Sequence, residues 1–261
     1  MPKFSFKHYL SLTFLAVLIA LGGKPYAAKS QPAPPPNPPG GGGQLGTDEE
    51  LVPNCVPNVA TGKVKCSYSN GDRYQGDFLN GRPHGVGVYI FFGGNRYEGN
   101  FLNGQPHGQG VLIRADDTRF EGIFENGTLT GTANRPGTIV FSTGEVYQGS
   151  LELFPVPGNP TRQTSRPNGR GVFIFPDSSR YQGEFFQGQI LGQGILVRPD
   201  GTRCQGRFFN QELDARVQCV FPDGTRYEGE LRGGIPHGQG VLISPNGQRT
   251  SGRFRDGEFV N

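Results

Sequence analysis

Apolar and polar residues alternate along most of this chain in short runs that stop at Gly, Asn or Asp, and the runs recur. Tyr74-Gln-Gly-Asp-Phe-Leu-Asn-Gly-Arg-Pro-His-Gly returns at Tyr97 as Tyr-Glu-Gly-Asn-Phe-Leu-Asn-Gly-Gln-Pro-His-Gly, 23 residues later, and again at Tyr227 as Tyr-Glu-Gly-Glu-Leu-Arg-Gly-Gly-Ile-Pro-His-Gly. Short β-rich runs separated by such turns predict β-hairpins, one per unit. Units begin at Tyr74, Tyr97, Phe120, Tyr147, Tyr181, Cys204 and Tyr227, with a half unit from Gly62 to Arg73 before them and another from Thr250. No window outside the N-terminus has the spacing of an amphipathic helix, so almost no helix is expected after Ala28. A fixed period of this size means one supersecondary unit stacked many times, not a single closed core.

Strand alternation assigns the faces, because residues two apart point the same way. Tyr74, Gly76 and Phe78 share one face, as do Tyr97, Gly99 and Phe101. The glycine between the rings leaves room for a neighbouring ring or backbone, which makes the aromatic column the expected core. The other face carries Arg96, Glu98 and Asn100, then Arg226, Glu228 and Glu230.

Four cysteines, Cys55, Cys66, Cys204 and Cys219, suit an exported chain with two disulfides. Cys204 takes the leading position of its unit and Cys219 the sixteenth, where other units carry Tyr89, Leu112, Ile139, Phe173, Leu196 and Leu242. In a hairpin whose fifth residue faces its twelfth, the first faces the sixteenth. A Cys204–Cys219 bridge is therefore expected, and by elimination Cys55–Cys66. Pairing Cys66 with Cys219 would span on the order of 60 Å.

The first residues place Lys3 and Lys7 ahead of an apolar run from Leu10 to Leu21 and small residues at Ala27 and Ala28, the layout of a secretory signal peptide. Twelve helical residues cover about 18 Å, short of the ~30 Å hydrocarbon core, so a retained anchor is the secondary reading. The expected organisation is a signal helix over 1–28, a disordered Pro/Gly-rich linker over 29–54 and a repeat array over 55–261. Removing the first 27 residues lowers Lys and Arg from 25 to 22 against 22 Asp and Glu. A balanced mature chain argues against nucleic acid as a partner, because nonspecific phosphate binding needs a basic excess.

The recurring Tyr-x-Gly-x-Phe, Asn-Gly and Gly-x-Gly elements resemble the MORN (membrane occupation and recognition nexus) repeat. Tyr97 to Gly110 and Tyr181 to Gly194 carry every fixed position of that pattern; Cys204, Ala215 and Val217 depart from it in their unit. The resemblance spans roughly residues 62 to 261. It implies an all-β, elongated single-sheet solenoid of about eight stacked hairpins, together with membrane-associated scaffolding and protein interaction.

Arginine precedes the leading position as Arg73, Arg96, Arg119, Arg180, Arg203, Arg226 and Arg249. Hairpins stacked two strand spacings apart would set these guanidiniums roughly 10 Å apart. The column is a candidate binding surface; the structural alternative is a solvated ladder with Asp77, Glu98, Glu121, Glu184, Glu228 and Glu230. Two irregular stretches are further candidates: about 11 extra residues around Pro155 to Asn168, bearing Arg162 and Arg166, and four near Thr128 to Arg135.

His84, His107 and His237 recur in Pro-His-Gly at the hairpin turn, too far apart to share one metal. Gly-x-Gly has no helix after it to cradle a phosphate. With no catalytic constellation, metal or cofactor motif, the expectation is a noncatalytic exported scaffold, periplasmic, secreted or membrane-tethered. It would meet a protein partner or the membrane surface. The alternative is a cell-wall or glycan binder using rings such as Tyr89, Phe91 and Phe92. Open sheet edges also suggest pairing with another copy.

Overall fold

The computed structural model describes residues 53–156 and 159–260, without the side chains of residues 156–162. The signal segment and nearly all of the linker lie outside them. No helix occurs among the described residues, and every strand pairing within each unit below is antiparallel. The chain forms two compact units.

The N-terminal unit holds the described part of Gln31–Pro176 with Phe185–Gly188. Its strands are β1 (Asn54–Val56), β2 (Gly62–Ser67), β3 (Arg73–Leu79), β4 (Arg82–Ile90), β5 (Arg96–Leu102), β6 (Gln105–Ile113), β7 (Arg119–Glu125), β8 (Thr128–Thr130), β9 (Gly137–Val140), β10 (Val146–Val156) and β11 (Asn159–Ile174). Strands β1 to β7 pair in sequence order. The extra residues after Thr130 break the next strand in two, so β7 pairs with both β8 and β9. The C-terminal unit holds Asp177–Glu184 and the described part of Gln189–Asn261. It carries β12 (Arg180–Phe186, whose last two residues belong to the N-terminal unit), β13 (Gln189–Val197), β14 (Arg203–Phe208), β15 (Ala215–Val220), β16 (Arg226–Arg232), β17 (Ile235–Ile243), β18 (Arg249–Arg255) and β19 (Glu258–Val260).

Hairpin turns follow from their residues. Asn80 and Gly81 (φ 51° and 76°) and Asn103 and Gly104 (φ 51° and 90°) both adopt positive φ, as a two-residue type I′ connection requires.

The core is the expected ring column. Tyr97, Tyr147, Tyr181 and Tyr227 are wholly buried, and Phe78, Phe101, Phe124, Phe185, Phe208 and Phe254 are buried beside them. Each tyrosine meets the phenylalanine of the following unit edge to face: Tyr97 with Phe124 and Tyr147 with Phe185 at 5.0 Å, and Tyr227 with Phe254 at 5.1 Å. Such pairs contribute about 0.5–1.5 kcal/mol beyond the area they bury.

One register differs from expectation. Tyr74 does pair with Tyr89, the sixteenth position, but Phe78 pairs with Pro83, the tenth, not with Gly85. Between the Gly76–Gly87 and Phe78–Pro83 pairs, the single residue Asp77 faces His84, Gly85 and Val86, so β4 carries a bulge of three residues against one. The same shift recurs at Gly99/Phe101, Gly149/Leu151 and Gly229/Leu231. Pro-His-Gly therefore lies in the bulge just past the turn, where Gly85, Gly108 and Gly238 take φ of 60°, 70° and 71°.

The bulge and the buried tyrosine belong together. Where the ladder lapses, the tyrosine hydroxyl donates to the carbonyl facing the bulge: Tyr74 to Asp77, Tyr97 to Asn100, Tyr147 to Ser150 and Tyr227 to Glu230, at 2.5–3.0 Å. To reach it the ring lies across a cross-strand glycine pair. A Cβ on Gly240 would stand 2.5 Å from Tyr227 Oη, and one on Gly110 would collide with the Tyr97 ring. In the unit led by Cys204 these features vanish together. Val217 replaces the second glycine, and the register runs from Cys204–Cys219 through Phe208–Ala215 without a shift.

Burial, the largest cause, raises the Tyr181 and Tyr227 phenols from 10.0 to about 12, and those of Tyr74, Tyr97 and Tyr147 further. Raised folded-state values mean that this contribution to stability is complete below pH 10 and is lost as the pH climbs through about 12. Two outcomes are expected. Tyr97→Phe, which leaves the Asn100 carbonyl without its donor, lowers the unfolding free energy in urea by about 1–3 kcal/mol. Alkaline titration shows tyrosinate absorbance appearing together with loss of β circular dichroism above pH 10, whereas phenols ionising near 10 with the fold intact would contradict the packing.

Candidate functional site

Arginine and β-branched residues alternate from strand to strand on the outward face. In the N-terminal unit the register pairs Arg73 with Ile90, Ile90 with Arg96, Arg96 with Ile113, Ile113 with Arg119 and Arg119 with Val140. The C-terminal unit repeats the order: Val197 with Arg203, Arg203 with Val220, Val220 with Arg226, Arg226 with Ile243 and Ile243 with Arg249. Arg180 leads the same row position on β12. All seven arginines are exposed.

The two units differ in what neutralises them. Arg96 pairs with Glu98 at 2.6 Å and Arg119 with Glu121 at 2.7 Å, each two residues along the same strand. Asp77 was expected beside an arginine but pairs with Lys63 at 2.8 Å, and that contact, with the Val86 N–H, holds its carboxyl below the usual range. Exposed pairs of this kind contribute about 0–1 kcal/mol. In the C-terminal unit Arg180 donates to the Gln182 amide at 3.1 Å. Arg216 pairs with Glu230 at 3.0 Å. Arg203, Arg226 and Arg249 have no carboxylate within ion-pair distance among the described residues. The sequence carries only part of this split: the position two after arginine is glutamate for Arg96 and Arg119 and Gln205 and Ser251 for Arg203 and Arg249, but Glu228 follows the unpaired Arg226 and Gln75 follows Arg73, which has no carboxylate partner among the described residues either.

The two irregular stretches, expected as loops, pack on each other within the N-terminal unit. Leu151 N–H donates to the Gly131 carbonyl at 3.0 Å. Ser165 donates its hydroxyl to the Leu129 carbonyl, and Leu129, Thr164 and Ser165 are buried. Tight backbone approach explains the local glycines, since a Cβ on Gly131 would lie 2.8 Å from Gly137 N and from Gly149 O. Arg166 places its guanidinium carbon 5.6 Å from the centre of the Phe154 ring, with Nε buried and without a hydrogen-bond partner. The Arg162 side chain lies outside the described residues.

The aromatic alternative loses two of its three rings. Tyr89 is buried and donates to the Asp72 carboxylate at 2.8 Å, and Phe91 is buried against it with ring centres 4.6 Å apart. Only Phe92 of the three faces solvent, 80% exposed. Asn70-Gly-Asp72 forms a turn in which Asp72 accepts from Tyr89 and from Phe92 N–H, so the hydroxyl of Tyr89 is spent on structure. Among the described residues no group of three His, Cys, Asp or Glu could hold a metal ion, and no helix is long and apolar enough to cross a membrane. His237 Nδ1 instead accepts from Asp256 N–H at 3.4 Å.

Both expected disulfides form, Cys55–Cys66 and Cys204–Cys219, each between directly opposed residues with Cα atoms 4.0 Å apart. Two bridges and no free cysteine suit an oxidising compartment.

Residues 74–96, 97–119, 165–180, 181–203 and 227–249 match the family described as MORN repeat. No curated protein matches the sequence. Among solved structures, the chain is similar to the TCP domain of Drosophila melanogaster SAS-4 (dCPAP), determined with a proline-rich motif of Ana2: 14% identity, 81% of this chain and 98% of that one covered, TM-score 0.38. It is also similar to the TCP10 domain of Danio rerio CPAP, determined with a STIL peptide: 13% identity, 78% and 100% covered, TM-score 0.28.

The Cys204–Cys219 bridge closes a sequence separation of 15 residues. Replacing both cysteines with alanine is expected to lower the unfolding free energy by about 2–4 kcal/mol in urea, and an unchanged value would show that the bridge constrains nothing.

Proposed function

The chain belongs to the MORN-repeat family, and from that premise we propose that it is a noncatalytic, exported scaffold that meets a protein partner along the outward face of its strands. The observation that carries this reading is the face itself. Both units present the same arginine and β-branched alternation across successive strands, with the arginines exposed and the β-branched residues exposed or half-buried, while the leading tyrosines and the phenylalanines that pack on them are used up in the core. A surface that repeats with the strand period offers many equivalent contacts and no single cleft, which suits an extended partner more than a small substrate.

Export is supported by the two disulfides and by the basic start and apolar run of residues 1–28. The Pro/Gly-rich stretch of 29–54 would then hold the array of 55–261 away from its exit point. The membrane surface is the second reading, favoured by the unpaired arginines of the C-terminal unit.

Gln205 and Gln218 sit directly opposite each other on the exposed face, which makes them suitable positions for a photo-crosslinking residue. In the producing cells, either position is expected to capture a protein, whereas the same residue at the exposed turn position Pro245 does not. Capture of lipid alone at Gln205 and Gln218, or equal capture at Pro245, would overturn the assignment.

A further inference from the structure

Charge balance over the whole chain conceals how charge is placed in the C-terminal unit. Its turn acids are engaged away from the strand face: Asp200 accepts from Thr202 N–H at 2.8 Å, Asp223 from Thr225 N–H at 2.9 Å, and Asp214 from Gly233 N–H at 2.9 Å. The strand face carries Glu184, Glu228 and Glu230 as well as its arginines, yet Arg203, Arg226 and Arg249 have no carboxylate within ion-pair distance among the described residues. Arg207 and Arg216 stand directly opposite one another across β14 and β15, a like-charge pair that opposes strand pairing. Only Arg216 has a carboxylate partner among the described residues, Glu230.

The spacing narrows the ligand. Val197, Arg203, Val220, Arg226, Ile243 and Arg249 follow one another across consecutive paired strands. Neighbouring strands lie about 4.8 Å apart, so arginines recur every ~9.6 Å with an aliphatic side chain midway. An α-helix rises about 10.5 Å in seven residues and about 4.5–6 Å in three or four. Carboxylates at seven-residue spacing, with apolar residues between them, therefore match the row in both distance and alternation. An extended strand repeats each face every ~6.6–6.8 Å and matches neither interval. The drift of about 0.9 Å per heptad over three arginines is within the reach of the long arginine stem. Val220, 47% exposed between Arg203 and Arg226, supplies the apolar seat.

We propose that the outward face of the C-terminal unit docks an acidic amphipathic helix of a partner protein, lying across the strands, with heptad-spaced carboxylates on Arg203, Arg226 and Arg249 and apolar side chains on Val220 and Ile243. Guanidinium and carboxylate pair in two parallel hydrogen bonds, which fixes the helix register as well as attracting it. This assignment deepens the protein-partner reading above and depends on it.

The test uses the full chain and two synthetic helical peptides of one composition. The first has Glu at seven-residue intervals with Leu three or four residues after each; the second has the same residues shuffled off that spacing. The first is expected to bind at least about tenfold more tightly, and Arg203→Gln with Arg226→Gln to weaken it about tenfold or more, while Arg73→Gln in the N-terminal unit leaves it unchanged. Because these side chains are exposed, circular dichroism of each variant should match the parent. Equal binding of both peptides would reduce the face to nonspecific charge and overturn the proposal. Binding to vesicles of anionic lipid with neither peptide bound would overturn it in favour of a lipid surface. Should the heptad peptide fail while crosslinking at Gln205 and Gln218 still captures a protein, the helix assignment falls and the scaffold reading survives; failure of both removes both.

Discussion

A buried tyrosine hydroxyl must find an acceptor, and for the repeat-leading tyrosines Tyr74, Tyr97, Tyr147 and Tyr227 that acceptor is a backbone carbonyl set opposite a bulge in the facing strand. Three further features follow from that one hydrogen bond. The ring can reach the carbonyl only by lying across the sheet, so two facing residues must lack side chains: Gly99 and Gly110 under Tyr97, and Gly229 and Gly240 under Tyr227. The bulge needs a residue at positive φ, supplied by Gly108 and Gly238. The displaced ring then presents its side to the phenylalanine of the next unit. A single repeat cannot complete this contact by itself, which is the physical reason that the unit recurs.

The exception supports the rule. With Cys204 in the leading place there is no hydroxyl to satisfy, and the register shift, the second glycine and the positive-φ glycine are all absent, replaced by a continuous ladder with Val217 and Ala215. A disulfide to Cys219 fastens the two strands instead. Because the tyrosine face is committed to the core, the face left to solvent is the opposite one, where Glu98 and Glu121 neutralise their arginines in the N-terminal unit and no carboxylate reaches Arg203 or Arg249 in the C-terminal one.

Much of this was legible in the residues. Period, turn chemistry and alternation gave the hairpins, the ring column and the Cys204–Cys219 pairing, because each depends on residues close in sequence or at a fixed offset. The bulge was not legible. A uniform ladder was assumed across Phe78 and Gly85, and nothing in strand alternation announces that one residue will face three. The clue available was the glycine of Pro-His-Gly, a residue that a regular strand does not require. The packing of Leu151 and Ser165 on Gly131 and Leu129 also escaped notice, because the two insertions are separated in sequence and only folding brings them together. Only the alternative reading needed Tyr89 and Phe91 to be exposed; the pairing of the first with the sixteenth position already set Tyr89 opposite the core residue Tyr74.

The most direct test of the tyrosine–glycine interlock is the unfolding free energy of Gly110→Ala measured in two backgrounds. Gly110 does not take a positive φ, and the three atoms nearest to a Cβ added there all belong to the Tyr97 side chain. With Tyr97 present, the added methyl is expected to cost about 1–3 kcal/mol by overpacking. With Tyr97→Leu, the same change should become neutral or stabilising, because alanine is then the less flexible residue in open space. An equal cost in both backgrounds would contradict the account.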